Sequence, residues 1–284
     1  MAALSLCLLV KNEERHLSRC LDSVAPLAGE IVMIDTGSSD ASPEIAASYG
    51  ARVLPFDFSR VDFAAARNFA IANARHAWVL MLDADEILDP ASFPEVEKLV
   101  ALDQNAGYFL ERHNYRAGAE NPTIDYAVRL FPNRSAYRYT GRVHETIDAS
   151  IISNGGKLEQ TAIRLHHRFS EDSEARRRKN RWYIQILKEE LAADPAVDSR
   201  LDFLAAEYHQ LEMFEEAAAV AEEIARVRPN DARAHLFAGV YHLLYKPDLV
   251  RARQDFNQAL RLRPGYPEAE SFLRTLEERE RDGR

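Results

Sequence analysis

The chain of 284 residues holds only 2 cysteines, 11 glycines and 12 prolines. Cys7 sits in an apolar run and Cys20 in a helical pattern, with no C-x-x-C spacing. A disulfide framework and a cysteine zinc site are therefore excluded, and a reducing, cytoplasmic setting is the expected home. So little glycine and proline rules out collagen-like and low-complexity chains. No apolar run is long enough for a bilayer. The opening segment Leu4 to Val10 has no basic stretch before it and meets Lys11-Asn12-Glu13-Glu14-Arg15 in place of a cleavage site, so it reads as a buried strand. A basic surplus is also missing: Lys and Arg number 36 against 45 for Asp and Glu, a net charge of -9 spread along the chain, which gives no electrostatic footprint for nucleic acid.

What is present is a folded composition, 46% apolar and 29% charged. The length exceeds the usual single domain of about 100 to 150 residues, so two domains are expected. From residue 1 to about 90, short apolar runs alternate with helical patterns, as in a parallel sheet covered by helices. Leu4 to Val10, Glu30 to Asp35, Ala51 to Pro55 and Trp78 to Leu82 read as strands. Leu17, Cys20, Leu21 and Val24, then Ile45, Ala46 and Tyr49, then Phe63 through Ala74 recur at helical spacing. Beyond residue 105 the clearer strands are Tyr108 to Tyr115, Tyr126 to Phe131 and Ile163 to His166, and from about 170 the pattern is helical to the end. Pro195, Pro229 and Pro264 lie 34 and 35 residues apart (229 minus 195, 264 minus 229). That is the period of tetratricopeptide helix pairs, with Leu204 to Pro229 filling one repeat, Ala238 to Pro264 a second, and a helix from Pro267 capping the stack.

The first two helices open just past strand ends, after Asn12 and after Ser38-Ser39-Asp40, whose short polar side chains suit helix caps. Strand ends facing helix starts are where open α/β sheets bind anionic ligands. The fourth strand ends there in Asp83-Ala84-Asp85-Glu86. Two carboxylates two residues apart at such an end can hold a hard divalent ion and leave room for substrate phosphates. Solvated loop acids also produce D-x-D, but a sheet with no other reason for acids at this place favours the ion.

Four ordered segments carry a family resemblance: Leu8-Leu9-Val10-Lys11-Asn12-Glu13-Glu14, Ile31 to Asp40, Ala66-Arg67-Asn68, and Leu80 to Glu86. Together they resemble glycosyltransferase family 2, and the repeat tail resembles the subgroup that joins such a domain to tetratricopeptide repeats, which includes peptide S-glycosyltransferases and relatives of lipopolysaccharide-core glucosyltransferases. The resemblance implies an α/β, GT-A (Rossmann-like) mixed-sheet domain over 1–172 and an all-α repeat domain over 173–284. It implies an inverting, metal-dependent transfer of a hexose from a nucleotide sugar, a UDP-sugar first, to a glycan, lipid-linked or peptide acceptor.

Residue by residue, the resemblance sets Val10, Asn12 and Glu14 against uracil and ribose, although Glu14 also suits a solvated acid in a first helical turn. Asp35 would accept from base or ribose, whereas Asp40 fits a helix cap. Arg67 would pair with the diphosphate, its alternative being an ordinary ion pair. Asn68 fixes local structure. Asp83 and Ala84 would meet the donor, with Asp83 on the ribose or at the metal, and Asp85 would coordinate Mn²⁺ or Mg²⁺. A histidine near the domain's end completes such metal sites, and His166 of His166-His167-Arg168-Phe169 aligns best, with Arg168 where relatives carry glycine. Glu145 of Gly141-Arg142-Val143-His144-Glu145-Thr146 is the expected base, with His144 in reserve and Asp125 a weaker candidate.

Two rivals compete. A nucleotidyltransferase needs a glycine-rich loop after the first strand, and Lys11-Asn12-Glu13-Glu14 supplies none. A non-catalytic scaffold would have lost acids that this chain keeps. Arg178-Lys179-Asn180-Arg181-Trp182 matches an R-x-x-R-W pattern of processive synthases, which carry membrane helices; a basic, aromatic helix is enough to explain it. With Arg176 and Arg177 it could touch acceptor phosphate or the inner face of an anionic membrane. The repeats would serve an acceptor or a protein partner.

Overall fold

The computed structural model describes residues 4–102, 105–115, 120–168, 173–194 and 199–281. The chain divides into two compact units, Met1–Glu171 and Asp172–Arg284. The first is built on one sheet. β1 (Leu4–Val10), β2 (Glu30–Asp35), β3 (Arg52–Pro55) and β4 (Trp78–Asp83) run parallel, linked by α1 (Leu17–Val24), α2 (Ser42–Ser48) and α3 (Phe63–Asn73). β1 and β4 are covered on both faces, which is why their sequences are apolar without alternation. Leu4, Leu6 and Leu8 pack with Leu17 and Leu21 of α1 on one face. Cys7, Val32 and Ile34 meet Ala66, Ala70 and Ile71 of α3 on the other.

The sheet then changes direction. β5 (Glu86–Leu88), α4 (Phe93–Val100), β6 (Ala106–Tyr115), β7 (Thr123–Pro132), α5 (Asp148–Ser153) and β8 (Lys157–Arg168) complete it. The strand order is β3-β2-β1-β4-β7-β6-β8-β5, with β7 antiparallel to β4 and to β6, β8 parallel to β6, and β5 antiparallel to β8. This is the mixed α/β sheet that the family resemblance implies. β8 starts six residues before the expected Ile163, because its first half alternates polar and half-exposed positions (163 minus 157). α1 opens at Leu17 and not directly after Asn12, whose φ of 58° turns the chain in the left-handed region, where a helix cap does not sit. Asp40, expected as the cap of α2, lies one residue before the cap position at Ala41 and accepts from the Ser42 amide at 3.0 Å in the turn that enters the helix. Asp62 caps α3 through the Ala65 amide at 2.8 Å.

The second unit is helical. α6 (Ser173–Ala193) precedes α7 (Ser199–Gln210) and α8 (Phe214–Val227), then α9 (Ala232–Leu244) and α10 (Leu249–Leu262), with α11 (Pro267–Arg281) last. α7 with α8 and α9 with α10 are hairpins, and Pro229 and Pro264 follow the second helix of each; Pro195 lies outside the described residues, as does Phe169. Small residues sit where helices cross: a Cβ on Gly239 would stand 2.6 Å from the Phe256 ring, so α9 and α10 touch closely only because that position is glycine. Phe256 in turn stacks on Phe272 of α11 at 5.6 Å. In α6, Asn180 is buried and bonds Gln210 at 3.1 Å, while the neighbouring cations face water. Among the described residues no helix is long and apolar enough to cross a membrane.

Candidate active site

Parallel strands β1, β2 and β4 end on the same edge of the sheet, and their connecting loops are tied together there. The Asn12 amide donates to Ser38 Oγ at 3.0 Å, and Asn12 Oδ1 accepts from the Ser39 amide at 2.7 Å. Glu14 accepts from the Ala41 amide at 3.2 Å and donates its own amide to Asp40 at 3.0 Å. Asp35 closes its own turn by accepting from the Ser38 amide at 3.0 Å. The Val10 carbonyl accepts both the amide and the hydroxyl of Thr36, at 3.0 and 3.2 Å. So Asn12, Glu14 and Asp35 share one edge, and the Val10 carbonyl is already engaged.

The acidic turn after β4 sends its two aspartates in different directions, because the strand ends at Asp83 and the i, i+2 relation of a strand no longer holds. Asp83 faces two buried arginines: Arg67 Nη2 donates to Oδ1 at 2.7 Å and Arg129 Nη2 to Oδ2 at 2.6 Å. Burial by itself would raise its pKa, but the Arg129 and Arg67 guanidiniums hold it well below the usual carboxylate range. Asp83, expected on the ribose or in the outer shell of the metal, is thus held by two arginines, and Asp85 does not join it there. Ala84 is buried in the core beneath the turn, leaving only its backbone to meet a ligand.

Asp85 lies against His167, with Nε2 3.2 Å from Oδ2. The sequence expectation named His166; strand alternation points that ring to the opposite face, where Tyr115 Oη meets its Nδ1 at 3.0 Å and Asp89 its Nε2 at 3.5 Å. His167 Nδ1 is held at 2.7 Å by Asn114 Oδ1, and the amide is oriented by Asn114 Nδ2 donating to Asp125 at 3.1 Å. The Nδ1 proton is thereby used, and Nε2 of the neutral ring presents its lone pair to a carboxylate, an arrangement that a proton or a cation makes favourable. Burial lowers the His167 pKa, but the hydrogen bond and charge of Asp85 more than offset it, so it is raised.

Glu145 is brought to the same place from a loop. Thr140 and Thr146 exchange backbone hydrogen bonds, and the loop is pinned to α3 by Arg142, whose carbonyl accepts the Phe63 amide at 2.9 Å, and by Asn68, whose side chain bonds Tyr139 in both directions. His144 adopts a φ of 50°, which lets Val143 enter the core while Glu145 turns to Arg67 Nε at 2.7 Å. Arg67 thus joins Glu145 to Asp83, and its Nη1 is buried with no hydrogen-bond partner among the described residues. Asp125 is committed bidentately to Arg112, at 2.8 and 2.9 Å.

Sequence reasoning missed Arg129, Glu86 and Asn114. Tyr108 pairs Leu130 and Phe109 pairs Val128, so Arg129 occupies a β-bulge that re-aims its side chain. A lone arginine inside Ala127-Val128-Arg129-Leu130-Phe131 was the available signal, since a charge in a buried strand needs a partner. Glu86 is fully buried against it; burial raises its pKa and the Arg129 charge only partly offsets that.

Among the described residues no three His, Cys, Asp or Glu side chains are placed to hold a metal ion. A divalent ion that takes one or two protein donors and fills its shell with substrate phosphate and water asks for less. Asp85 and His167, with the second ring nitrogen already oriented, fit that requirement.

The family profile described as "Glycosyl transferase family 2" matches residues 5–156. A TPR repeat-containing protein of Synechococcus elongatus is 38% identical over 155 residues, covering 54% of this chain and 37% of that protein. The lipopolysaccharide core biosynthesis glycosyltransferase LpsC of Rhizobium meliloti is 32% identical over 158 residues, covering 52% of this chain and 56% of LpsC. This chain therefore spans about half the length of these relatives or less. S. aureus TarS 1-349, solved in complex with UDP-GlcNAc, superposes with a TM-score of 0.50 at 13% identity, covering 100% of this chain and 93% of that one, a likeness of fold alone.

Proposed function

This chain belongs to glycosyl transferase family 2, and from that premise we propose that its sheet unit transfers a hexose, with inversion, from a UDP-sugar to a glycan, lipid-linked or peptide acceptor. The observation that carries the reading is the convergence of Asp85 with His167, and of Arg67 with Asp83 and Glu145, at the carboxyl ends of parallel strands, where such sheets take anionic ligands. The UDP-GlcNAc complex of TarS and the naming of LpsC support the donor class and the glycan chemistry.

Asp35, Asn12 and Glu14 would face the nucleoside, and Arg67 the diphosphate through its unpartnered Nη1. Asp85 and His167 would hold Mn²⁺ or Mg²⁺, which when bound supplies Lewis-acid stabilisation of the departing diphosphate. The mixed oxygen and nitrogen donors favour Mn²⁺, since Mg²⁺ prefers oxygen alone. Glu145 would act on the acceptor. Its Oε1 is held by Arg67, so Oε2 takes the acceptor's hydroxyl or thiol proton as that atom bonds the anomeric carbon and the bond to UDP breaks. His144, one residue away, is the reserve base.

The helix pairs, read with the repeat-containing Synechococcus relative, support a tetratricopeptide-like unit that holds an acceptor or a protein partner. The test is release of UDP from UDP-glucose and UDP-GlcNAc in Mn²⁺ buffer. Turnover that needs Mn²⁺ and is lost in Asp85→Ala is expected; equal turnover by parent and variant would overturn the reading.

A further inference from the structure

The turn Asp83-Ala84-Asp85-Glu86 is closed at both ends by one guanidinium. Arg129 Nη2 lies 2.6 Å from Asp83 Oδ2 and 2.6 Å from Glu86 Oε1, and Glu86 Oε2 accepts the Asp83 amide at 3.0 Å. We propose that Arg129 is a positioning residue: it staples the ends of the acidic turn, and through them fixes the direction in which Asp85 meets His167.

Three features carry this. Glu86 is completely buried, and a carboxylate in that state persists only when paired and hydrogen-bonded. Its second cation, Arg112, stands 3.5 Å away and is committed to Asp125, so Arg129 is the close partner. Arg67 touches Asp83 but not Glu86, and among the described residues Arg129 is the cation that meets both ends of the turn. The bulge in β7 places it there: in regular register with β6, a residue at 129 would have a cross-strand partner and a side chain fixed by the pleat. With both flanking carboxylates pinned, Asp85 is the acid of the turn left to face a ligand.

The inference rests on the proposed reading only in its second arm. The full-length parent, Arg129→Met, Arg129→Lys and the double variant Arg129→Met/Glu86→Gln are compared by hydrogen exchange over the β4–β5 turn, and by calorimetry of UDP with Mn²⁺ and with chelator. In Arg129→Met the turn amides should exchange faster while those of β1 stay protected, and UDP affinity in Mn²⁺ should fall about 10- to 100-fold, the range for lost outer-shell partners. Arg129→Lys should recover part of both. The double variant removes both buried charges, so its thermal midpoint should return toward the parent's while fast turn exchange and weak affinity persist. A merely structural arginine would instead let affinity recover with stability, and that result, or parent-like turn exchange in Arg129→Met, overturns the proposal. A parent that binds no UDP would overturn the functional reading, with the exchange arm still deciding this one. Should Arg129→Met not fold, the lysine and double variants carry the same comparison.

Discussion

The two units bury charge in different ways. In the sheet unit the buried charges Arg67, Arg129 and Glu86 converge, with Asp83 and Glu145, on one network at the strand ends. In the helical unit the buried polar groups link one helix to the next: Asn180 bonds Gln210, Arg200 reaches toward Glu190, Glu207 is buried in α7, and His242 lies between Glu222 and Asp255, carboxylates that His235, Lys246 and Arg251 also approach. Packing alone cannot account for the first pattern. Replacing a buried ion cluster with apolar side chains is often neutral or stabilising, so convergence of several charges at the strand ends supports the proposed chemistry there. The charges of the second unit join α8, α9 and α10 to one another and lie at no strand end.

Changes in the sheet network should therefore remove donor chemistry, and changes in the helical unit should lower that unit's stability with UDP binding retained. The largest effect is expected at Glu145. Glu145→Gln keeps the shape and a hydrogen bond to Arg67 but cannot take a proton, so transfer should fall by about 10²- to 10⁴-fold with UDP binding retained. Steady-state transfer and UDP calorimetry on the same preparation check it. Loss at His144→Ala with Glu145→Gln nearly active would exchange the two roles.

Next in size is Phe256→Ala. Its ring is fully buried between α9 and α11, so thermal or urea unfolding should report a loss of about 3–5 kcal/mol for the helical unit. UDP affinity should not change; a parallel drop would show that the units do not divide labour as argued. Gly239→Ala should cost about 1–3 kcal/mol through overpacking against the same ring.

The smallest effect concerns pH. His242 is buried with Asp255 and Glu222 at 2.9 Å from its two nitrogens, and His235, Lys246 and Arg251 stand around the same carboxylates. The Asp255 hydrogen bond is the main cause of a raised pKa; burial opposes it and Glu222 adds to it. A raised folded value means the stabilisation is complete below the unfolded histidine value of about 6.5 and is lost as pH rises through the folded value. The unfolding midpoint of the helical unit should therefore decline across that window, and the slope should flatten in His242→Gln. An identical slope in that variant would remove His242 from the account.

The sequence made β1 to β4 and the acidic turn legible, because doubly covered strands are continuously apolar and short polar residues punctuate their ends. The helix pairs were legible from a proline period that repeats a whole structural unit. What it hid depends on single-residue offsets. His166 and His167 differ by one position, and in a strand one position decides the face. Arg129 acts through a bulge, which leaves no mark in a two-residue alternation. Asp83 and Asp85 looked like one pair because spacing does not disclose that the strand stops between them.

In the proposed reading the strand-end edge binds a nucleoside diphosphate together with a divalent ion on Asp85 and His167. Calorimetry of UDP with the parent, Asp85→Ala and His167→Ala, each with Mn²⁺ and with chelator, tests it most directly. Tight binding is expected of the parent only in Mn²⁺, with both variants reduced to the parent's chelator value. Equal UDP affinity for all three proteins in Mn²⁺ would contradict it.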